Sequence, residues 1–255
     1  MNKYLNRAIP WITSIVSLLA IEQIFEKPKQ VYWLVAFILC LIIISVWQLL
    51  NRKIKEKRFW FLLFTPLLFF LGSSLFLSFL QGRYIKHFFA VFVAVSLGIF
   101  FEVIHSKFHN RIKYQPHSLE TVSFNLNIVS IFLLSSGFFS LILFLGFSVL
   151  LFATLFTLTV LFLNFQLAWF TGSRFEISKW YILTIVLIMT EAFWAINYLP
   201  TSVYVNAALL TSGYYLLAGL SRNWLLDIKE PKVVKRYLFT TLIISVIILI
   251  TAKWF

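Results

Sequence analysis

Asp227 is the only aspartate in this chain of 255 residues, and the only cysteine, Cys40, sits inside an apolar run. One aspartate excludes a paired-aspartate intramembrane protease and any enzyme that holds Mg²⁺-diphosphate through Asp-rich motifs. One cysteine excludes an intramolecular disulfide, a CxxC pair and a sulfur-rich metal site. Charged residues make up 12% of the chain, about half the share in a typical soluble domain, which excludes a water-soluble fold. Eight glycines leave few places for helix backbones to approach closely, so large side chains must fill most helix contacts. The chain also has no GxxxxGK[ST] phosphate loop, no GxGxxG, no GxSxG and no HExxH.

What is present is apolar length. Crossing about 30 Å of hydrocarbon at 1.5 Å per residue takes roughly 20 apolar residues. Nine such runs occur, at about 8–25, 31–50, 59–80, 88–104, 119–141, 146–170, 178–199, 202–220 and 237–254. The uncharged stretch 121–172 is too long for one helix and fits two with a tight turn near Gly146. Pro200, after Asn197 and Tyr198, marks a second tight turn, because the residue before proline disfavours helical geometry. The expected fold is all-α: a polytopic transmembrane helix bundle of nine spans, forming one integral membrane domain over 1–255. Lys3 and Arg7 precede an apolar stretch as in a signal peptide, but no small-x-small cleavage site follows before Glu22 and Gln23. This reads as an uncleaved first helix.

The formal charge of +13 lies between the apolar runs. Alternate connections fall on opposite faces, and Lys and Arg concentrate on the cytoplasmic one. One face receives Lys3, Arg7, Arg52, Lys53, Lys55, Lys57, Arg58, Lys107, Arg111, Lys113, Arg174, Lys179, Arg222, Lys229, Lys232, Lys235 and Arg236. The other receives only Lys27, Lys29, Arg83, Lys86 and Lys253. The N-terminus is therefore expected in the cytoplasm and the C-terminus outside, in a cell membrane whose anionic headgroups meet the basic loops. Nucleic acid is not implied as a partner. The segment 221–236, SRNWLLDIKEPKVVKR, reads either as a headgroup-level amphipathic stretch or as a solvated linker.

Glu191 is the residue with the highest cost of placement, since an acidic side chain at the centre of a span costs about 2.5–3.5 kcal/mol. Trp194, Ala195 and Tyr198 share its face, and the Pro200 hairpin returns the next helix so that Thr211 and Ser212 lie at its depth. One reading is an outer-leaflet polar pocket of Glu191, Asn197, Asn206, Thr211 and Tyr214, with Glu22 and Gln23 at the same outer level. The structural reading is a carboxyl hydrogen-bonded to Thr211 or Ser212, joining two helices. Asn125, Asn127, Asn164 and Gln166 form a second polar group, read as paired amides between helices. In EVIHSKFH, Glu102, His105 and His109 recur on one helical face, with His117 and Glu120 following, at a spacing that suits a divalent cation. Interfacial accumulation of histidine explains the same residues.

Three functions stay open on these residues. The first is a non-enzymatic membrane component, such as a subunit of a larger assembly with other membrane proteins, which needs no cofactor. The second is a small-solute or lipid transporter coupled through Glu191. The third is a metal-dependent lipid-modifying enzyme using Glu102, His105 and His109.

Overall fold

The computed structural model describes residues 3–26, 31–50, 56–110, 114–172, 175–228 and 230–254. Among these residues every regular element is a helix: α1 Lys3–Glu26, α2 Val31–Leu49, α3 Lys57–Phe79, α4 Arg83–His109, α5 Ser118–Leu145, α6 Val149–Phe170, α7 Phe175–Ile196, α8 Val203–Leu225 and α9 Pro231–Thr251. All nine are long and apolar enough to cross a membrane. Helices suit this sequence because each satisfies its own backbone hydrogen bonds, as a hydrocarbon solvent requires. The hydroxyls follow the same rule: Ser45, Ser73, Ser135, Ser140, Thr159 and Thr211 each donate to the carbonyl four residues earlier.

The expected turns are present. Gly146, at φ +67°, separates α5 from α6, and bends over residues 197–202 separate α7 from α8, where Ser202 caps α8 by accepting from the Val205 N–H. The helix ends depart from the apolar runs. α4 continues from 104 to His109, α8 continues from 220 to Leu225, and α9 starts at Pro231 rather than at 237. Charged side chains end an apolar run without ending a helix, since Lys and Arg stems lie along apolar surface while their heads reach water. Residues 221–225 of the basic segment thus belong to α8 and residues 231–236 to α9. Pro231 occupies the first turn of α9, where a missing N–H is harmless, and Asp227 takes φ +60° in the short connection. Of the basic residues assigned to the two faces from the sequence, Lys27, Lys29, Arg52, Lys53, Lys55, Arg111, Lys113, Arg174 and Lys229 lie outside the described residues.

Packing divides the chain into two compact units, Met1–Asn127 and Ile128–Phe255, with the division inside α5. Hydropathy shows no break there, because it records apolarity and not packing order. In the first unit α1 runs antiparallel to α4. Ser14 Oγ donates to the Ala94 carbonyl at 2.7 Å, and a Cβ on Gly98 would lie only 3.1 Å from that same Oγ. Ser14→Ala should lower stability by about 0.6–1.7 kcal/mol in a detergent unfolding titration, the worth of one interhelical hydrogen bond. α2 contributes one face, Ile38, Ile42, Val46 and Leu49, all fully buried, while Tyr32, Trp33 and Phe37 point outward. Phe69, Phe70, Phe100 and Phe101 complete that core.

In the second unit Phe193 of α7 lies between two rings, stacked on Phe139 of α5 at 4.7 Å and on Phe156 of α6 at 4.8 Å. Thr157 and Thr190 join α6 to α7 through hydroxyls 2.8 Å apart. Ser212 and Ser245 join α8 to α9 at 3.0 Å. Below that pair the ring of Tyr237 lies on Gly219, and Tyr237 is the one buried residue of α9.

Candidate functional site

Glu191 lies on the outward side of α7. Its face runs through Trp180, Leu183, Leu187, Ile188, Glu191 and Trp194, all exposed. The opposite face, Ile182, Ile185, Met189 and Phe193, is buried. Met189 Sδ comes within 3.9 Å of where a Cβ on Gly213 would be, so α7 and α8 meet in antiparallel register with Thr211 level with Glu191. That depth agrees with the reading from the Pro200 hairpin.

The hydroxyls and amides near this level are occupied by other partners. Thr211 donates to the Ala207 carbonyl, and Ser212 donates to Leu209 as well as facing Ser245. A helix carbonyl three or four residues back is always within reach of these hydroxyls, which is why they bond there and not to the carboxyl. Asn206 is buried and accepts from the Thr201 hydroxyl at 2.5 Å, which ties the start of α8 to the turn before it. Tyr214 is almost wholly buried. Asn197 is half-buried just past the end of α7, with its N–H on the Phe193 carbonyl. Of the five residues, Glu191 points outward, Asn206 and Tyr214 are buried, and Asn197 and Thr211 are half-buried.

The second set divides similarly. His105 is buried and stacks on His109, with ring centroids 5.3 Å apart and planes within 5°. Glu102 is exposed and edges a groove of about 320 Å³ between α1 and α4, beside Trp11, Ser14 and Gly98. Among the described residues no three His, Cys, Asp or Glu side chains group closely enough to hold a metal ion. His117, just before α5, bonds Glu120 in the first turn of that helix at 2.6 Å. Of the amide group, Asn125 is exposed, Asn127 accepts from Thr65 of α3 at 3.0 Å, and Asn164 donates to the Val160 carbonyl of its own helix. Asn127 thus meets a hydroxyl of another helix and Asn164 a carbonyl of its own.

Two features escaped the sequence. Glu22 stands 3.7 Å from His87 Nδ1 within the first unit, and Phe25 meets the same imidazole edge-on at 5.6 Å. Nothing local signals this, because Glu22 and His87 belong to helices far apart in the chain. The other is a groove of about 890 Å³ along α8 and α9. Lys232, Lys235 and Arg236 border it together with Leu216, Phe239 and Leu242. Its signal was readable: spacings of three and four after a helix-starting Pro231 put three cations on one face.

The sequence profile of a family described as "Protein of unknown function (DUF5656)" matches residues 9–251, nearly the whole chain, so this protein belongs to the DUF5656 family. No curated protein and no solved structure matches the chain.

Proposed function

We propose that this DUF5656 protein is a non-enzymatic subunit of a membrane assembly, held in the cell membrane with its N-terminus in the cytoplasm. The observation that supports the reading is the outward position of Glu191 on α7. A carboxyl facing hydrocarbon is costly, and intramembrane acids normally face a bundle interior, a cavity or a partner. A second transmembrane helix carrying a hydrogen-bond donor would cover Glu191 together with Leu187 and Trp194, exposed on either side of it. The orientation follows from the excess of Lys and Arg on one set of connections.

The test is a photoreactive amino acid at Leu187 in living membranes. A discrete protein adduct is expected, with its yield reduced at least about tenfold by Glu191→Leu. The same substitution should change the stability of the isolated chain by under about 0.5 kcal/mol, because this side chain meets the apolar solvent whether or not the helices are packed. A dimer-sized adduct would identify a second copy as the partner. Adducts to lipid alone, unchanged in Glu191→Leu, would sink the proposal.

The transporter reading uses the same carboxyl and draws support from Thr211 at its depth. It requires solute flux that disappears in Glu191→Gln at unchanged expression.

A further inference from the structure

We infer that the groove between α8 and α9 is a binding site for one anionic glycerophospholipid. Along α9 its lining residues run from cations in the first two turns to apolar side chains in the turns that follow. Lys232, Lys235 and Arg236 lie in the first two turns of α9, all exposed. This is the helix end where the backbone dipole is itself positive, so the helix adds to their charge instead of offsetting it. The two acids of the neighbouring connection, Asp227 and Glu230, are not among the residues that line the groove. Among the described residues no acid lines the groove, and an anion would match its charge.

Beyond the cations the walls are apolar. Leu216 of α8 lines it together with Leu238, Phe239 and Leu242 of α9. Leu242 lies seven residues beyond Lys235, an axial distance of about 10 Å at 1.5 Å per residue. A phosphate held by the cations would therefore place the start of an acyl chain along these side chains. A soluble anion would leave that apolar length uncovered, and a neutral lipid would leave three charges unmatched. The groove persists because Tyr237, sitting on Gly219, holds α9 beside α8 at the level of the cations.

The experiment is native mass spectrometry of the full chain released from detergent with phosphatidylglycerol, phosphatidylcholine or inorganic phosphate. One retained phosphatidylglycerol per chain is expected, with phosphatidylcholine retained far less. Lys232→Gln, Lys235→Gln and Arg236→Gln together should weaken retention about a hundredfold, at about fivefold for each basic residue near a membrane surface. Exchanging Lys57 and Arg58 for Gln at the start of α3 should leave it unchanged. Equal retention of both lipids, or no loss in the triple variant, would overturn the inference. Displacement of the lipid by millimolar inorganic phosphate alone would show a free-phosphate site and overturn it as well. Should the triple variant not fold, a photoactivatable phosphatidylglycerol on the unaltered protein gives the answer: labels within 216–242 support the site, and labels elsewhere refute it.

Discussion

Gly219→Ala should loosen α9 from α8, and Gly219→Leu should release it. A Cβ at position 219 would fall 2.2 Å from Cε1, 2.8 Å from Cδ1 and 2.9 Å from Cζ of Tyr237. Contacts that short force the ring away. The ring has few places to go, because Tyr215 lies 5.1 Å from it and the Arg236 guanidinium lies 5.7 Å from its centroid. Overpacking of this kind costs about 1–3 kcal/mol for one added group. α9 has little to offset it, since its outward side chains, among them Leu238, Phe239, Leu242, Ile247 and Ile250, are exposed. A disulfide between cysteines introduced by Ser212→Cys and Ser245→Cys reports the contact, in a Cys40→Ser background. These positions carry the serine pair at 3.0 Å, so the bridge should form readily when Gly219 is kept and at least about fivefold less in the Gly219→Leu variant. Tyr237→Ala should restore it beside Gly219→Ala, as a double-mutant cycle requires of two residues in contact. A bridge that forms equally in every variant would show that Gly219 does not control the docking of α9.

Phe193→Ala should be the most damaging single truncation in the second unit. Its ring is fully buried, and its planes lie within 13° of Phe139 and 21° of Phe156. In a soluble core such a truncation costs about 3–5 kcal/mol. Here the separated helices are already in an apolar solvent, so the transfer part of that figure largely drops out. Lost dispersion and ring contacts are what remain, and about 2–3 kcal/mol is the expected cost. The check is unfolding by sodium dodecyl sulfate against the unaltered protein. Leu183→Ala on the outward face of the same helix serves as the comparison and should cost under about 0.5 kcal/mol. Equal effects at both positions would mean that the three-ring stack does not hold α5, α6 and α7 together.

The same asymmetry explains what sequence reasoning reached around the candidate site. Pro200 between two apolar runs placed the α7–α8 turn and the shared depth of Glu191 and Thr211, because a hairpin of rigid helices leaves only counting to do. It did not place the side chains. One of the two readings joined the carboxyl to Thr211 or Ser212, whereas their hydroxyls bond helix carbonyls and Ser245. Glu102, His105 and His109 share a face by spacing, yet His105 is buried while Glu102 is exposed. A spacing rule fixes angular separation around a helix but not which side meets a neighbour.

Length and apolarity alone determined the number of helices and their capacity to span a membrane, together with the turns at Gly146 and near Pro200. These are properties of one segment and its solvent. Which faces pack was decided only by tertiary structure. In water a buried face announces itself by being apolar, but in hydrocarbon the outward face is apolar too, as Leu183 and Leu187 opposite Phe193 illustrate. Shape makes the choice instead: Gly219 receives Tyr237, and Gly98 lets Ser14 reach the Ala94 carbonyl. Each fit depends on two residues far apart in the chain, and becomes visible only once the helices are side by side.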